Sequence, residues 1–167
     1  MVIGLSIQNF TILHVVISLV AIASGLVMLF GMLGAHRLPG WTALFLITTI
    51  LTSVTGFMFP IRGFTPALGV GTISLVLLAI ALIALYAKHL NESWRWIYVA
   101  TALTALYFNV FVLIAQSFQK VPTLQALAPT QSEPPFLISQ VATLVVFIIL
   151  GVIAARRFRP ASTNPAY

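Results

Sequence analysis

Five stretches of this chain are apolar for long enough to cross a lipid bilayer, and that narrows the possible folds more than any other feature. A membrane-spanning helix needs about 17–25 mostly apolar residues; residues 10–33, 41–59, 67–87, 96–118 and 136–155 each qualify. Turn chemistry separates them, as RLPG at 37–40, PIRGFTP at 60–66 and KHLNES at 88–93. In lipid every backbone polar group must be satisfied within the chain, and runs this long and uniformly apolar achieve that as helices rather than barrel strands. The expected fold is all-α, a bundle of five transmembrane helices forming a single membrane domain over 1–155, with a basic tail at 156–167. No repeat relates one span to another, and an odd number of spans argues against simple duplication.

Composition supports the same class. Only 6% of the 167 residues are charged and the mean hydropathy is +1.11, whereas a soluble domain carries about 25% charged residues. The net charge of +6 would suggest nucleic acid in a soluble protein. Here the basic residues stand at the ends of apolar runs with no basic patch interleaved with aromatics. They read as topology signals and as attraction to anionic headgroups, with the bilayer as partner and no nucleic acid. Cysteine is absent, which excludes disulfides, thiolate metal sites and cysteine nucleophiles.

Direction follows from the basic residues. Arg37, Lys88, Arg95, Arg156, Arg157 and Arg159 fall after odd-numbered spans, and only Arg62 and Lys120 fall on the other side. Six against two under the positive-inside rule places the amino terminus outside and the carboxyl terminus in the cytoplasm. Trp41, Trp94 and Trp96 all lie on the cytoplasmic edge, where indoles favour the interface. AIA at 21–23 resembles a signal-peptidase site, but residues 1–9 hold no Lys or Arg and the apolar run continues to Leu33, so the first run is read as a retained span.

Helices in lipid pack through small and polar residues. Thr11, His14, Ser18, Ala21 and Gly25 share one face of span 1; Thr48, Thr52 and Gly56, with Thr49 and Ser53 beside them, form a stripe on span 2. Span 4 aligns Thr101, Ala105, Asn109, Gln116 and Lys120, and span 5 carries Ser139, Gln140 and Thr143. Span 3 is smoother and is expected to be the more lipid-exposed.

Two groups of residues are candidates for chemistry. In the outer leaflet His14, Arg62, Asn109, Gln116, Lys120 and Gln140 share roughly one depth. Either His14, Asn109 and Gln140 hydrogen-bond one another to fix helix packing, or the group lines a small cavity under the 119–135 loop for a polar or anionic ligand, with Arg62, Lys120 and His14 as donors. Within that loop TLQALA at 123–128 is a short helix former fenced by Pro122 and Pro129, which predicts a folded cap. The second group is His36 and His89, the two imidazoles that could pair by depth as axial ligands of a b-type haem, with Arg37, Lys88 and Arg95 for its propionates. No H-x-x-x-H, no paired carboxylates and no G-x-S-x-G occur, so no metal-binding or catalytic residues are assigned. Both acids, Glu92 and Glu133, lie in loops, so the carboxylate relays common in pumps are missing.

The segments HRLPGWTALFLITTILTSVTGFMFP at 36–60 and RGFTPALGVGTISLVLLAIALIALYAKH at 62–89 resemble multi-pass bacterial inner-membrane families of unassigned chemistry. In those families a His-Arg-x-x-Gly turn precedes a Thr/Ser-rich span and a Gly-Phe-Ser/Thr-Pro turn opens the next. The resemblance covers about a third of the chain, and it departs where such families often place a His after the second turn; here the region reads ALGVG. It implies a bacterial inner membrane and no particular mechanism. The resulting expectation is a non-enzymatic membrane component without a cofactor, either a subunit beside other membrane proteins or further copies of itself, or a binding protein using the outer-leaflet cluster. A small transporter or channel using that cluster, and a haem electron-transfer protein using His36 and His89, are the alternatives.

Overall fold

The computed structural model describes residues 2, 4–60, 63 and 65–159. Six α-helices follow one another: α1 (Ile7–Leu33), α2 (Pro39–Phe57), α3 (Pro66–Leu82), α4 (Trp94–Lys120), α5 (Pro122–Leu127) and α6 (Pro134–Arg157). A single π-helical turn, Ile83–Ala87, continues α3. All but α5 are long and apolar enough to cross a membrane, α3 together with its π turn. Among the described residues there is no β-sheet.

Local chemistry explains where the helices begin. Ser6 Oγ accepts from the Asn9 amide at 3.2 Å, and Thr65 Oγ1 accepts from the Leu68 amide at 3.4 Å, each satisfying one amide that has no partner within its helix. Proline opens α2, α3, α5 and α6, where its missing N–H costs nothing. Helices α1, α4 and α6 overrun their apolar runs, beginning at Ile7, Trp94 and Pro134, because caps and first turns tolerate polar residues that the bilayer interior does not. Pro122 therefore opens the short helix of the 119–135 connection rather than standing outside it.

Helix α4 is the axis of the bundle. It packs against α1, α3 and α6, touches α2, and carries α5; α1 also packs on α2 and α6, and α2 on α3. The largest core cluster joins Met28, Leu29 and Met32 of α1, Phe45 and Leu46 of α2, Leu78 and Ala81 of α3, and Tyr98, Ala102, Ala105 and Leu106 of α4. These come from the half of the bundle where α1 ends and α4 begins. Gly25 sets the approach there. A Cβ at that position would lie 2.5 Å from Leu106 Cδ1 and 2.8 Å from Phe45 Cδ2, so α1, α2 and α4 meet over bare backbone.

The least embedded span is α6, which buries only Phe136, Gln140 and Ala154. This corrects the expectation for span 3, since α3 and its π turn bury Ser74, Leu78, Ala81, Ala84 and Leu85. Smoothness did not mean exposure, because packing against α4 uses apolar as well as small side chains.

The two ends of the bundle differ. Where α1, α3 and α6 finish and α2 and α4 start lie Arg37, Lys88, Arg95, Arg156, Arg157 and Arg159, here termed the basic end. Arg95 fastens α4 to α6 at that end. Its Nη1 donates to Ala155 O at 2.9 Å and to Phe158 O, and its guanidinium sits 4.7 Å from the Trp96 ring centroid. At the far end α5 rests against α4, and Phe118, Ala128 and Phe136 form a small separate core with Leu124. Gln131 Nε2 closes it by donating to Ala115 O at 2.7 Å. The 119–135 connection is thus folded onto the α4–α6 seam.

Candidate binding site

The far-end polar residues reach separate partners. His14 Nδ1 lies 2.7 Å from Thr55 Oγ1 on α2, and the ring meets Phe59 edge-on at 5.3 Å. Asn109 Nδ2 donates to Thr49 Oγ1 at 3.1 Å. Gln140 Nε2 donates to Phe111 O at 3.1 Å, while its buried Oε1 has no partner among the described residues. Gln116 is partly buried on α4 and Lys120 is exposed at its last turn. Arg62 lies outside the described residues. The expected mutual hydrogen bonding of His14, Asn109 and Gln140 therefore does not occur: each ties its own helix to a different neighbour.

The serine and threonine stripes are also largely self-sufficient. Hydroxyls of Ser18, Ser24, Thr48, Thr52, Thr55, Thr101 and Thr143 donate to carbonyls one turn earlier in their own helices, as such residues do where no water is present. They give small surfaces for packing rather than free donors for a ligand.

Convergence occurs instead at the basic end. A cavity of about 520 Å³ has His36, Arg37 and Thr42 from the α1–α2 corner, Tyr86 and His89 after α3, and Tyr98 of α4 on its wall. Met28, Met32, Leu85 and Phe158 supply apolar lining. The two histidines thus share one cavity although they are 53 positions apart in the sequence. Among the described residues no Asp or Glu lines it. Tyr98 is 1% exposed and its hydroxyl meets Met28 Sδ at 3.5 Å.

The backbone around this cavity is unusual. The π turn widens the end of α3, so that Leu90 N donates to Ala84 O at 3.0 Å. His89, Leu90 and Glu92 then take positive φ of 50°, 60° and 48°, and Ala35, next to His36 in the chain, takes 58°. Left-handed backbone costs a non-glycine residue roughly 1–2 kcal/mol, and it persists where surrounding contacts over-determine it. Leu90, 5% exposed in the core, is the anchor here. π turns and such strained residues gather at functional sites.

Sequence reasoning placed His36 and His89 in loops but missed Thr42, Tyr86 and Tyr98 as their neighbours. The available signal is the bias of basic residues to this end, which marks topology and headgroup attraction without naming the tyrosines and the threonine that complete the wall. Among the described residues no group of three His, Cys, Asp or Glu side chains could hold a metal ion. Comparison with family models, curated proteins and solved structures gave no match to the chain. Fold and site together define a class, an all-α multi-pass membrane protein with a cationic cavity at one end.

Proposed function

We propose that this is a membrane-embedded binding protein whose site is the basic-end cavity and whose ligand is an amphiphile with an anionic head. The observation that carries the reading is that Arg37, His36 and His89 converge from two separate corners onto one cavity with apolar lining. Arg37 supplies a permanent charge and forked donors, and the imidazoles and Thr42 supply further donors. Met28, Met32 and Leu85 suit the apolar part of the ligand. The balance of basic residues supports a cytoplasmic position for this end, and the resemblance supports a bacterial inner membrane. The bonds of His14, Asn109 and Gln140 support a packing role for the far-end residues.

The test is binding of dodecyl phosphate, against dodecylphosphocholine, to detergent-purified protein by thermal shift. The alkyl phosphate should stabilise the protein more. Arg37→Ala should weaken its binding about tenfold or more, since a hydrogen bond to a charged group contributes about 1.5–3 kcal/mol. Equal binding by the wild type and Arg37→Ala would remove the reading.

Haem ligation by His36 and His89 is a second reading, favoured by the same shared cavity. Protein mixed with haemin and freed of excess should then show a Soret band that His36→Ala and His89→Ala each abolish. A colourless product excludes it.

A further inference from the structure

A trough of about 720 Å³ runs along the seam between α4 and α6, on the outside of the bundle and separate from the basic-end cavity. Its lining includes the buried Val99 and Leu103 of α4 and short side chains, Ala100 and Thr104 on α4 with Gly151 and Ala155 on α6. Thr104 donates its hydroxyl proton to Ala100 O at 2.8 Å, so this lining asks nothing polar of an occupant. The trough is bounded on α4 by Trp96 and Tyr107, and on α6 by Leu144 and Arg156. At 1.5 Å per residue those limits are roughly 16–18 Å apart. Half of the ~30 Å hydrocarbon core is about 15 Å. The trough is therefore one leaflet long.

Charge is confined to one end. Arg156 and Trp96 both line the basic end of the trough, with Arg157 next in the chain, and among the described residues the rest of the lining is uncharged. We infer that this trough seats an anionic phospholipid, one acyl chain lying over Gly151 and the phosphate meeting Arg156. Length, an apolar lining and a single cationic end together match a lipid of one leaflet. A second copy of the chain fits less well, because a partner helix would use a seam along all of α6, roughly 36 Å. Arg95 has a positioning role, since its bonds to Ala155 O and Phe158 O and its stacking on Trp96 hold the headgroup end of the trough together.

Native mass spectrometry of the full chain in mild detergent tests this, with dioleoyl-phosphatidylglycerol and dioleoyl-phosphatidylcholine as probes. One lipid is expected in the trough, with phosphatidylglycerol preferred, in addition to any held by the basic-end cavity. Gly151→Phe, whose Cβ would stand 3.8 Å from Leu103 Cδ1, should fill the trough and cut retention about tenfold while the helical signal is kept. Ala100→Leu blocks the trough from the α4 side and should do the same if Gly151→Phe does not fold. Arg156→Gln should lower the phosphatidylglycerol preference about fivefold, the effect of one basic residue near an anionic headgroup. In an Arg37→Ala background, which removes the share held by the cavity, Gly151→Phe should still cut retention about tenfold, which separates this site from the cavity. Retention unaffected by both trough variants would overturn the proposal, as would a dimer that Gly151→Phe dissociates.

Discussion

His14 Nδ1 on α1 and Thr55 Oγ1 on α2 stand 2.7 Å apart, within reach of one shared proton. Thr55 Oγ1 has one hydrogen, and it donates that to Leu51 O at 2.7 Å. The 2.7 Å contact with His14 Nδ1 therefore runs from ring N–H to hydroxyl oxygen, which fixes the neutral ring as the Nδ1–H tautomer. ¹⁵N shifts of labelled protein should report that tautomer, and Thr55→Val should release it. An Nε2–H signal in the wild type would contradict the assignment. His14→Leu should destabilise the α1–α2 pair by about 0.6–1.7 kcal/mol, the range for hydrogen bonds between helices in a membrane.

Asn109 and Thr49 make the corresponding link between α4 and α2. Thr49 is fully buried and accepts from the Asn109 amide. A double-mutant cycle of Asn109→Ala and Thr49→Val, followed by unfolding in mixed detergent micelles, should give a coupling energy of about 0.6 kcal/mol and no more than about 1.7. Additive effects would mean that the two side chains do not interact.

Gly25 admits no Cβ without movement of Leu106 and Phe45, and both are 0% exposed. Gly25→Ala should therefore destabilise the bundle by about 1–3 kcal/mol as overpacking does, against the usual gain of replacing glycine within a helix. Adding Leu106→Ala to Gly25→Ala should recover part of the loss. A neutral Gly25→Ala would show that the three helices are further apart.

Glu133 gives the far-end connection a dependence on pH. Desolvation acts to raise its pKa, but hydrogen bonds from the Thr130 hydroxyl and from the Thr130 and Ser132 amides outweigh it and hold the carboxyl below its ordinary value. The folded loop therefore favours the ionised form. The order it contributes is fully present above the ordinary carboxylate range, about 4.3 for Glu, and is lost as pH falls through the lowered folded value. Amide shifts of Thr130 and Ser132 should titrate together with a midpoint below that range, and Glu133→Gln should flatten both curves.

Helix number and type were legible because each span is a property of its own residues. A run such as 67–87 must satisfy its backbone internally wherever it sits, so apolarity and length suffice. The small-residue faces of α1 and α2 were legible for a similar reason: helical spacing alone puts Ala21 and Gly25 on one side. The partners of those faces were not. Which hydroxyl meets His14, and whether Asn109 reaches Gln140 or Thr49, depends on how helices rotate and which of them is central.

Composition and periodicity by themselves determined an all-α membrane bundle, its spans to within a few residues, and the gathering of basic residues at one end. Those are local or additive quantities, set by transfer free energy and helix geometry. Only the tertiary structure decided that α4 is the axis, that α6 is the most exposed span, that the 119–135 connection folds onto the α4–α6 seam, and that His36 and His89 share a cavity. Each of these rests on contacts between residues far apart in the chain, which the pairing of whole helix faces selects and no single segment encodes.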